Sequence, residues 1–573
     1  MATDYTLSFA ENDSGVAVEN FSEEDERVLG STVTNTDSNI FAWKLTEDFT
    51  PEQAGALLSR YSRTSLTSRR LFIKEFYPNK NRGREFFDAW LVDYGDDSIQ
   101  EMAGGLPASC EYVSNVAVKE IEDCRFGSYI EKSTRYVAFD KKLPNGEYMF
   151  YKDPQIIASR HGDDYLRLMN SLFDSYSNHM EKMSKYIADT NRIEEIGFRI
   201  GGNLVKINQL SSAMEEQFGI TEADLRKSYD NAIKANALDF LRDYLPMSTL
   251  THVGISMDAR SYENMINKML ASPLLESRFI AKRLSAELKK LVPSLVKRID
   301  DEHGIALQGF FREKNENASA MVHDLTKGII SKEEMVALSE YAGEGTQNPD
   351  LKAQIILGAV IIYRFSRGTS MSQASQIAAK MNDSERKKLI NTYVGARKNR
   401  RHKPGRAFEG LDYTFDLMGR IGIYRDIQRH RIGTQERQNF GVELGYDTRS
   451  AFKDVGIDGD YAQKMSEVTD LYHKIFEKMP HQAQYVVTLG FNIRWYYKLN
   501  ARQLYHLCEL RSTHQGHPDY RKLVQQMAIK VKQVHPTVIE PMTYLDMSEK
   551  TLGRLDSEIR MAVKKSQLNN PKT

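Results

Sequence analysis

The sequence predicts a helix-rich α+β protein built as two tandem domains, each a version of the same fold. Length carries part of that expectation. A chain of 573 residues exceeds one ordinary core, and its 41% hydrophobic and 27% charged content is that of a globular protein. Weak internal echoes, recurring in one order, carry the tandem part. Most of the chain places apolar residues at three-and-four spacing over stretches of roughly 11 to 20 residues, the period of amphipathic helices, which carries the helical part.

The echoes are three. Arg60-Tyr61-Ser62-Arg63-Thr64-Ser65 resembles Arg364-Phe365-Ser366-Arg367-Gly368-Thr369, each entering a charged, helix-like stretch. Ser128-Tyr129-Ile130-Glu131 and Thr434-Gln435-Glu436-Arg437 follow Arg125 and Arg431 by the same step, and Asp258-Ala259-Arg260-Ser261 answers Asn500-Ala501-Arg502-Gln503. The first domain is therefore expected over 31–310 and the second over 320–573, with Lys314 to Ser319 as linker. Residues 1–30, rich in Asp and Glu, read as an acidic flexible tail, and about 140–235 reads as an insertion in the first copy. Helical patterns include Tyr165 to Met183, Phe279 to Leu291 and Met465 to Met479. Strand candidates are Tyr148 to Tyr151 and Leu411 to Phe415, the latter alternating with period two.

Lys and Arg total 78, as do Asp and Glu, so the whole chain exerts no general pull on nucleic acid or membrane. The basic run Arg397 to Arg406 reads as a solvated surface that can also steer an anion. Cys110, Cys124 and Cys508 form no CxxC pair, which argues against a disulfide framework and against a cysteine metal site. No stretch reaches the roughly 18 apolar residues of a membrane span, and the expected compartment is the cytoplasm.

Three segments carry candidate chemistry. Arg429, His430 and Arg431 close an amphipathic run, Phe415 to Gln428; arginine forks suit phosphate, although a solvated basic helix end is the commoner reason for such a triplet. In Val487 to His514, Asn500, Leu504, Leu507 and Arg511 fall on one helical face, with Arg502, His506 and Glu509 on its neighbour. A planar ring would suit that face; so would a plain core helix. Glu131, Ser133 and Arg135 alternate, so an extended loop would aim all three to one side, where they could read a sugar hydroxyl and a phosphate. An exposed charged turn is the plainer alternative.

Taken together, these segments resemble the flavin-dependent thymidylate synthase family. Its signature is an Arg-His-Arg triplet, seven residues, then a serine within a Glu-x-Ser-x-Arg-Tyr loop. The second copy keeps Arg429-His430-Arg431 but has Arg437, Asn439 and Gly441 in the loop positions. The first keeps Glu131, Ser133, Arg135 and Tyr136 but has Asp123, Cys124 and Arg125 in place of the triplet. Downstream, the family's Asn-x-Arg helix and active-site arginine are matched by Asn500, Arg502 and Arg511, where the first copy has Asp258 and Met269 at the outer positions. A phosphate arginine four residues before a proline is matched by Arg242 and Pro246, against Gln484 in the second copy. The family's His-x-Ser/Thr-x-x-Glu-His element is reduced to Asp96, Ser98, Glu101 and Met102, and in the second copy to Pro404, Arg406 and Glu409.

The resemblance implies a pseudo-dimer whose repeats have divided one active site. Glu131, Ser133, Arg135 and Arg242 would join Arg429 and Arg511 around dUMP, with Arg511 the catalytic group. Arg429, His430, Arg431, Asn500, Arg502, His506, Ser98 and Glu101 would contact FAD. The implied reaction is reductive methylation of dUMP to dTMP, with methylenetetrahydrofolate and NADPH as co-substrates. The reduced third element leaves open a related flavin-dependent modification of a pyrimidine nucleotide, or a flavin-binding sensor without turnover. A family that works as a tetramer of single-copy chains implies a homodimer of tandem chains here.

Overall fold

Two four-stranded antiparallel sheets of identical strand order organise the computed structural model, which describes residues 7–9, 17–88, 98–143, 146–331, 334–549 and 552–569. The first sheet runs Ile40–Ala42, Leu106–Ser114, Leu250–Met257, Ser128–Glu131 in space. The second runs Val336–Tyr341, Asp412–Arg420, Asn492–Asn500, Thr434–Arg437. In both, the chain-order sequence is edge, centre, far edge, centre, so the repeat read from three short echoes is a repeat of topology. The helix-rich α+β class holds.

The elements between the strands also correspond. A helix opening on proline precedes the second strand in each copy: Pro51–Tyr61, capped by Thr50, and Pro349–Phe365, capped by Asn348. Proline is preorganised for a first helical turn, where its missing N–H costs nothing. The first echo pair lies at the ends of these two helices. A seven-residue helix follows the second strand, Asn115–Ile121 or Ile421–Ile427, and leads into the third. The fourth strand ends on a capping side chain, Asp258 or Asn500, which accepts from the N–H three residues on and starts Ala259–Leu270 or Ala501–Arg511.

The structure corrects several expectations. The run Phe415 to Gln428 is the end of a strand and a short helix, because Asp412–Arg420 pairs along both edges. Asn500 belongs to a strand and caps the following helix rather than sharing its face. Tyr148 to Tyr151 forms only an isolated bridge, Phe150 to Thr249. The expected linker lies inside one 25-residue helix, Glu302–Thr326. The acidic segment before residue 30 is partly built in: Glu23–Gly30 is helical, capped by Ser22, and buried Glu19 accepts from Arg70 Nε at 2.7 Å.

Close packing divides the chain into two units that are each discontinuous. The first comprises 1–187, 234–330 and 441–491; the second comprises 188–233, 331–440 and 492–573. Within the first unit, equivalent segments of the two copies meet. Pro246 bridges Thr488, Met247 N–H donates to Val487 O at 2.7 Å, and Leu489 N–H donates to Leu245 O at 2.9 Å. Since Arg242 corresponds to Gln484, Pro246 corresponds to Thr488. This pairing therefore joins like to like, as across a local two-fold. Buried Asp243 and Arg449, 2.6 Å apart, lock the same region.

Candidate functional site

Each copy's half is built on its own sheet, and each is best read against its counterpart. In the second unit, Ile421–Ile427 delivers the triplet at its C-terminal end. Arg429 is exposed, His430 is buried and Arg431 is half-buried. The second sheet's following helix, Ala501–Arg511, brings Arg511 to the same place from the other side. Arg511 Nε donates to His430 Nε2 at 2.8 Å, which leaves the ring proton on Nδ1. Asp426 lies 3.8 Å from the Arg511 guanidinium, and that guanidinium sits over the Tyr520 ring. The His430 and His506 rings pack at 5.4 Å.

The region is cationic. Burial, then Arg511 and His506, hold His430 well below the usual imidazole range. Burial, then Lys403, Arg400, Arg511 and Arg502, bring His506 down to about 4. Four cations therefore gather around a neutral imidazole. Arg502 Nε donates to Pro404 O at 3.0 Å, with Glu409 at 3.5 Å from its guanidinium. The basic run, expected as a solvated surface, is anchored: Arg397 is buried in a bidentate ion pair with Glu509 and lies over the Tyr505 and Tyr544 rings. Glu509, on the helical face it shares with Arg502 and His506, thus spends its carboxylate on Arg397.

Both neutral histidines make stability pH-dependent. The unfolded chain protonates each near pH 6.5, whereas the fold resists that proton. Stability is therefore complete above about 6.5 and falls below it by up to ~1.4 kcal/mol per pH unit for each histidine, over a window that for His506 ends near 4. Urea midpoints measured across that window should decline, and His506→Gln should remove one proton's share of the slope. An unchanged slope in that variant would refute the assignment.

In the first unit the polar residues lie in the loop that follows Glu131. Glu131 ends its strand buried, 3.3 Å from Lys119, and Lys119 also pairs with Glu122. The chain then turns instead of staying extended: Ser133 Oγ accepts from Arg135 N–H at 3.3 Å, and Ser133 O accepts from Tyr136 and Val137 at 3.2 and 3.1 Å. Serine favours such turns, so the expected alternation ends at Glu131. Arg135 is half-buried, and Arg242 is buried in the turn Arg242–Tyr244 of the same unit. Ser98 and Glu101 form one helical turn, with Glu101 accepting from Ser128 Oγ at 3.3 Å. Asp96 lies outside the described residues.

The counterparts show how the halves diverged. Cys124 follows its helix by the same three residues as His430, and Met269 lies eleven residues beyond its cap, as Arg511 does. Both are buried in the first unit's apolar core. What is an Arg–His pair in one copy is hydrophobic packing in the other. Sequence reading missed Lys119 and Asp426, of which Asp426, one helical turn before His430, had a readable signal; Arg400 and Lys403 lie in the basic run that was expected to steer an anion.

For FAD, the donors fit. A pyrophosphate wants guanidinium and ammonium groups, which Arg400, Lys403, Arg502 and exposed Arg429 supply, and the paired imidazoles offer flat surface. Asn500 spends its carboxamide oxygen on the N–H of Gln503 at 2.9 Å and keeps its NH₂ as a donor.

Residues 44–294 and 351–537 each match the family described as thymidylate synthase complementing protein, Thy1. A UPF0159 protein of Chlamydia muridarum is 33% identical over 568 residues, covering 94% of this chain and 98% of its own. A UPF0159 protein of Thermoplasma acidophilum is 34% identical, covering 89% and 98% respectively. A solved structure of a UMP/dUMP methylase from Streptomyces cacaoi, bound with 5-Br dUMP, is similar over 36% of this chain and 94% of its own, at 19% identity and a TM-score of 0.28. With both copies matched and relatives aligned over nearly their whole length, the chain belongs to the thymidylate synthase complementing protein family, in a tandem form.

Proposed function

We propose that this protein makes dTMP from dUMP by flavin-dependent reductive methylation, at a site composed from both repeats. One observation supports this most strongly: at equivalent positions one copy holds the hydrogen-bonded His430–Arg511 pair and the other holds Cys124 and Met269 in its core. The first copy keeps the loop residues Glu131, Ser133 and Arg135 and the arginine Arg242 instead. Complementary retention of this kind is what a shared site requires.

Arg135, Arg242 and Arg429 bind the phosphate of dUMP, and Ser133 reads its sugar. Glu131, already held by Lys119, fixes the start of that loop. Arg511 hydrogen-bonds the uracil where negative charge develops, a preorganised donor of the kind that contributes most to such reactions. Neutral His430 accepts from Arg511 Nε and sets the plane of the guanidinium. His506, Arg431, Arg502, Asn500, Ser98 and Glu101 hold FAD, which when bound supplies the hydride. Methylenetetrahydrofolate supplies the carbon and NADPH the electrons. The working form is a homodimer of tandem chains in the cytoplasm.

Purified protein should be yellow, and its reduced flavin should reoxidise in a dUMP- and methylenetetrahydrofolate-dependent turnover that yields dTMP. A yellow protein that binds dUMP without turnover would make it a sensor. Transfer to another pyrimidine nucleotide would move the reaction but keep the site. No thiol takes part: all three cysteines are buried, and burial pushes the Cys110 and Cys508 thiols up. Iodoacetamide on the native protein and Cys124→Ala should both leave kcat unchanged; a lost kcat in Cys124→Ala would place a thiol in the chemistry.

A further inference from the structure

Helix Glu302–Thr326 starts on a cap, Asp301 accepting from Gly304 N–H at 3.0 Å. It is tied down over its first two turns, where Gln308 Nε2 donates to Asn267 Oδ1 at 2.9 Å and to Ile299 O at 2.8 Å. From Arg312 to Thr326 every residue is exposed. A free stretch of about 15 residues is a marginal helix in water unless an apolar face is covered. This one has such a face: Leu307, Phe311, Lys314, Ala318, Met321 and Leu325 follow the alternating four-three spacing of a helix–helix seam, with Phe310 and Val322 beside it.

The stripe reads the same from both ends. Counting outward from Glu316, Leu307 mirrors Leu325, Phe310 mirrors Val322, Phe311 mirrors Met321 and Lys314 mirrors Ala318. We propose that this helix docks a second copy of the chain, antiparallel, about a two-fold axis near Glu316. In that arrangement each bulky apolar residue meets another. Each Lys314, which already lies 5.5 Å from the Phe311 ring, meets the small Ala318 and has room to carry its charge out along the seam. A self-complementary patch is what an isologous dimer contact requires.

The size is adequate. Leu307, Phe310, Met321, Val322 and Leu325 are 37%, 57%, 68%, 53% and 72% exposed. At roughly 170 Å² for a large apolar residue, in the range of aromatic side chains, they offer about 500 Å² per copy and on the order of 1,000 Å² for the pair. That reaches the size of a specific interface of about 1,000 Å². The chain's net charge of +0 adds no long-range repulsion between copies. The docking uses none of the residues assigned to the reaction.

Light scattering on the full chain at micromolar concentration should give a mass near twice 65.7 kDa, and Phe310→Glu with Leu325→Glu should return it to the single-chain value. A wild-type monomer, or a dimer indifferent to those charges, overturns the proposal. Because the native cysteines are buried, introduced ones report alone. Lys314→Cys with Ala318→Cys should oxidise to a covalent dimer, while Lys327→Cys alone should not. Cross-linking by Lys327→Cys in place of the pair would mean parallel docking and refute the two-fold.

Discussion

Arg511→Ala should lower kcat for dTMP formation by roughly 10²- to 10³-fold, the cost of removing one preorganised donor at developing charge. Arg135→Ala should weaken dUMP binding by about 10- to 100-fold, as expected for losing a charge-assisted hydrogen bond of ~1.5–3 kcal/mol. The two residues belong to different copies and different packing units, so a shared phenotype at one substrate has a composite site as its simplest cause. Asn439→Ala is the control: it stands where the first copy has Ser133, is exposed, and should leave kcat/KM unchanged. Mixing the two impaired chains at limiting dUMP separates two geometries. If the halves of a site come from different chains, a mixed dimer contains one site with both arginines intact and regains turnover; if they come from one chain, mixing restores nothing. An Arg135→Ala enzyme with wild-type dUMP affinity would remove the divided-labour account altogether.

The repeat was legible because equivalent backbone positions keep similar capping and turn chemistry. Asp258 and Asn500 are both strand-end caps, so their spacing to Met269 and Arg511 survived divergence. The polar triplet was legible for the same reason: it ends a short helix tied to a strand. What misled was periodicity across a junction. Phe415 to Gln428 and Val487 to His514 each run from a strand of alternating burial into a helix, so a period-two segment was read together with a helical one. The loop at Ser133 was misread because a hydroxyl accepting from a backbone N–H two residues on turns the chain, and this leaves no mark on alternation. Long-range charge pairs were the least visible. Nothing near Lys119 in the sequence says which of many carboxylates it meets, and Arg397 finds Glu509 only after the chain folds.

Glu509→Ala should destabilise the protein by about 3–5 kcal/mol, the usual result of stripping one partner from a buried pair. The pair is almost wholly removed from water, with side chains 3% and 2% exposed, and Arg397 would be left between two tyrosine rings without a counter-charge. More than stability depends on it. Arg397 Nε donates to His402 O at 2.6 Å and Nη1 to Pro541 O at 3.1 Å, while Tyr544 N–H donates to Glu509 at 3.3 Å. One ion pair therefore ties the basic loop and the segment near 541–544 to the helix that carries His506 and Arg511. Releasing the loop takes Arg400 and Lys403 away from His506, and the imidazole, still buried but with fewer cations beside it, should titrate at a higher pH than in the wild type. FAD affinity should fall in parallel. Arg397→Met with Glu509→Leu, which replaces the pair by apolar groups of similar length, should recover much of the stability but not the FAD affinity or the low His506 titration. Recovery of all three by the apolar pair would mean that Arg400 and Lys403 are placed by something other than this anchor.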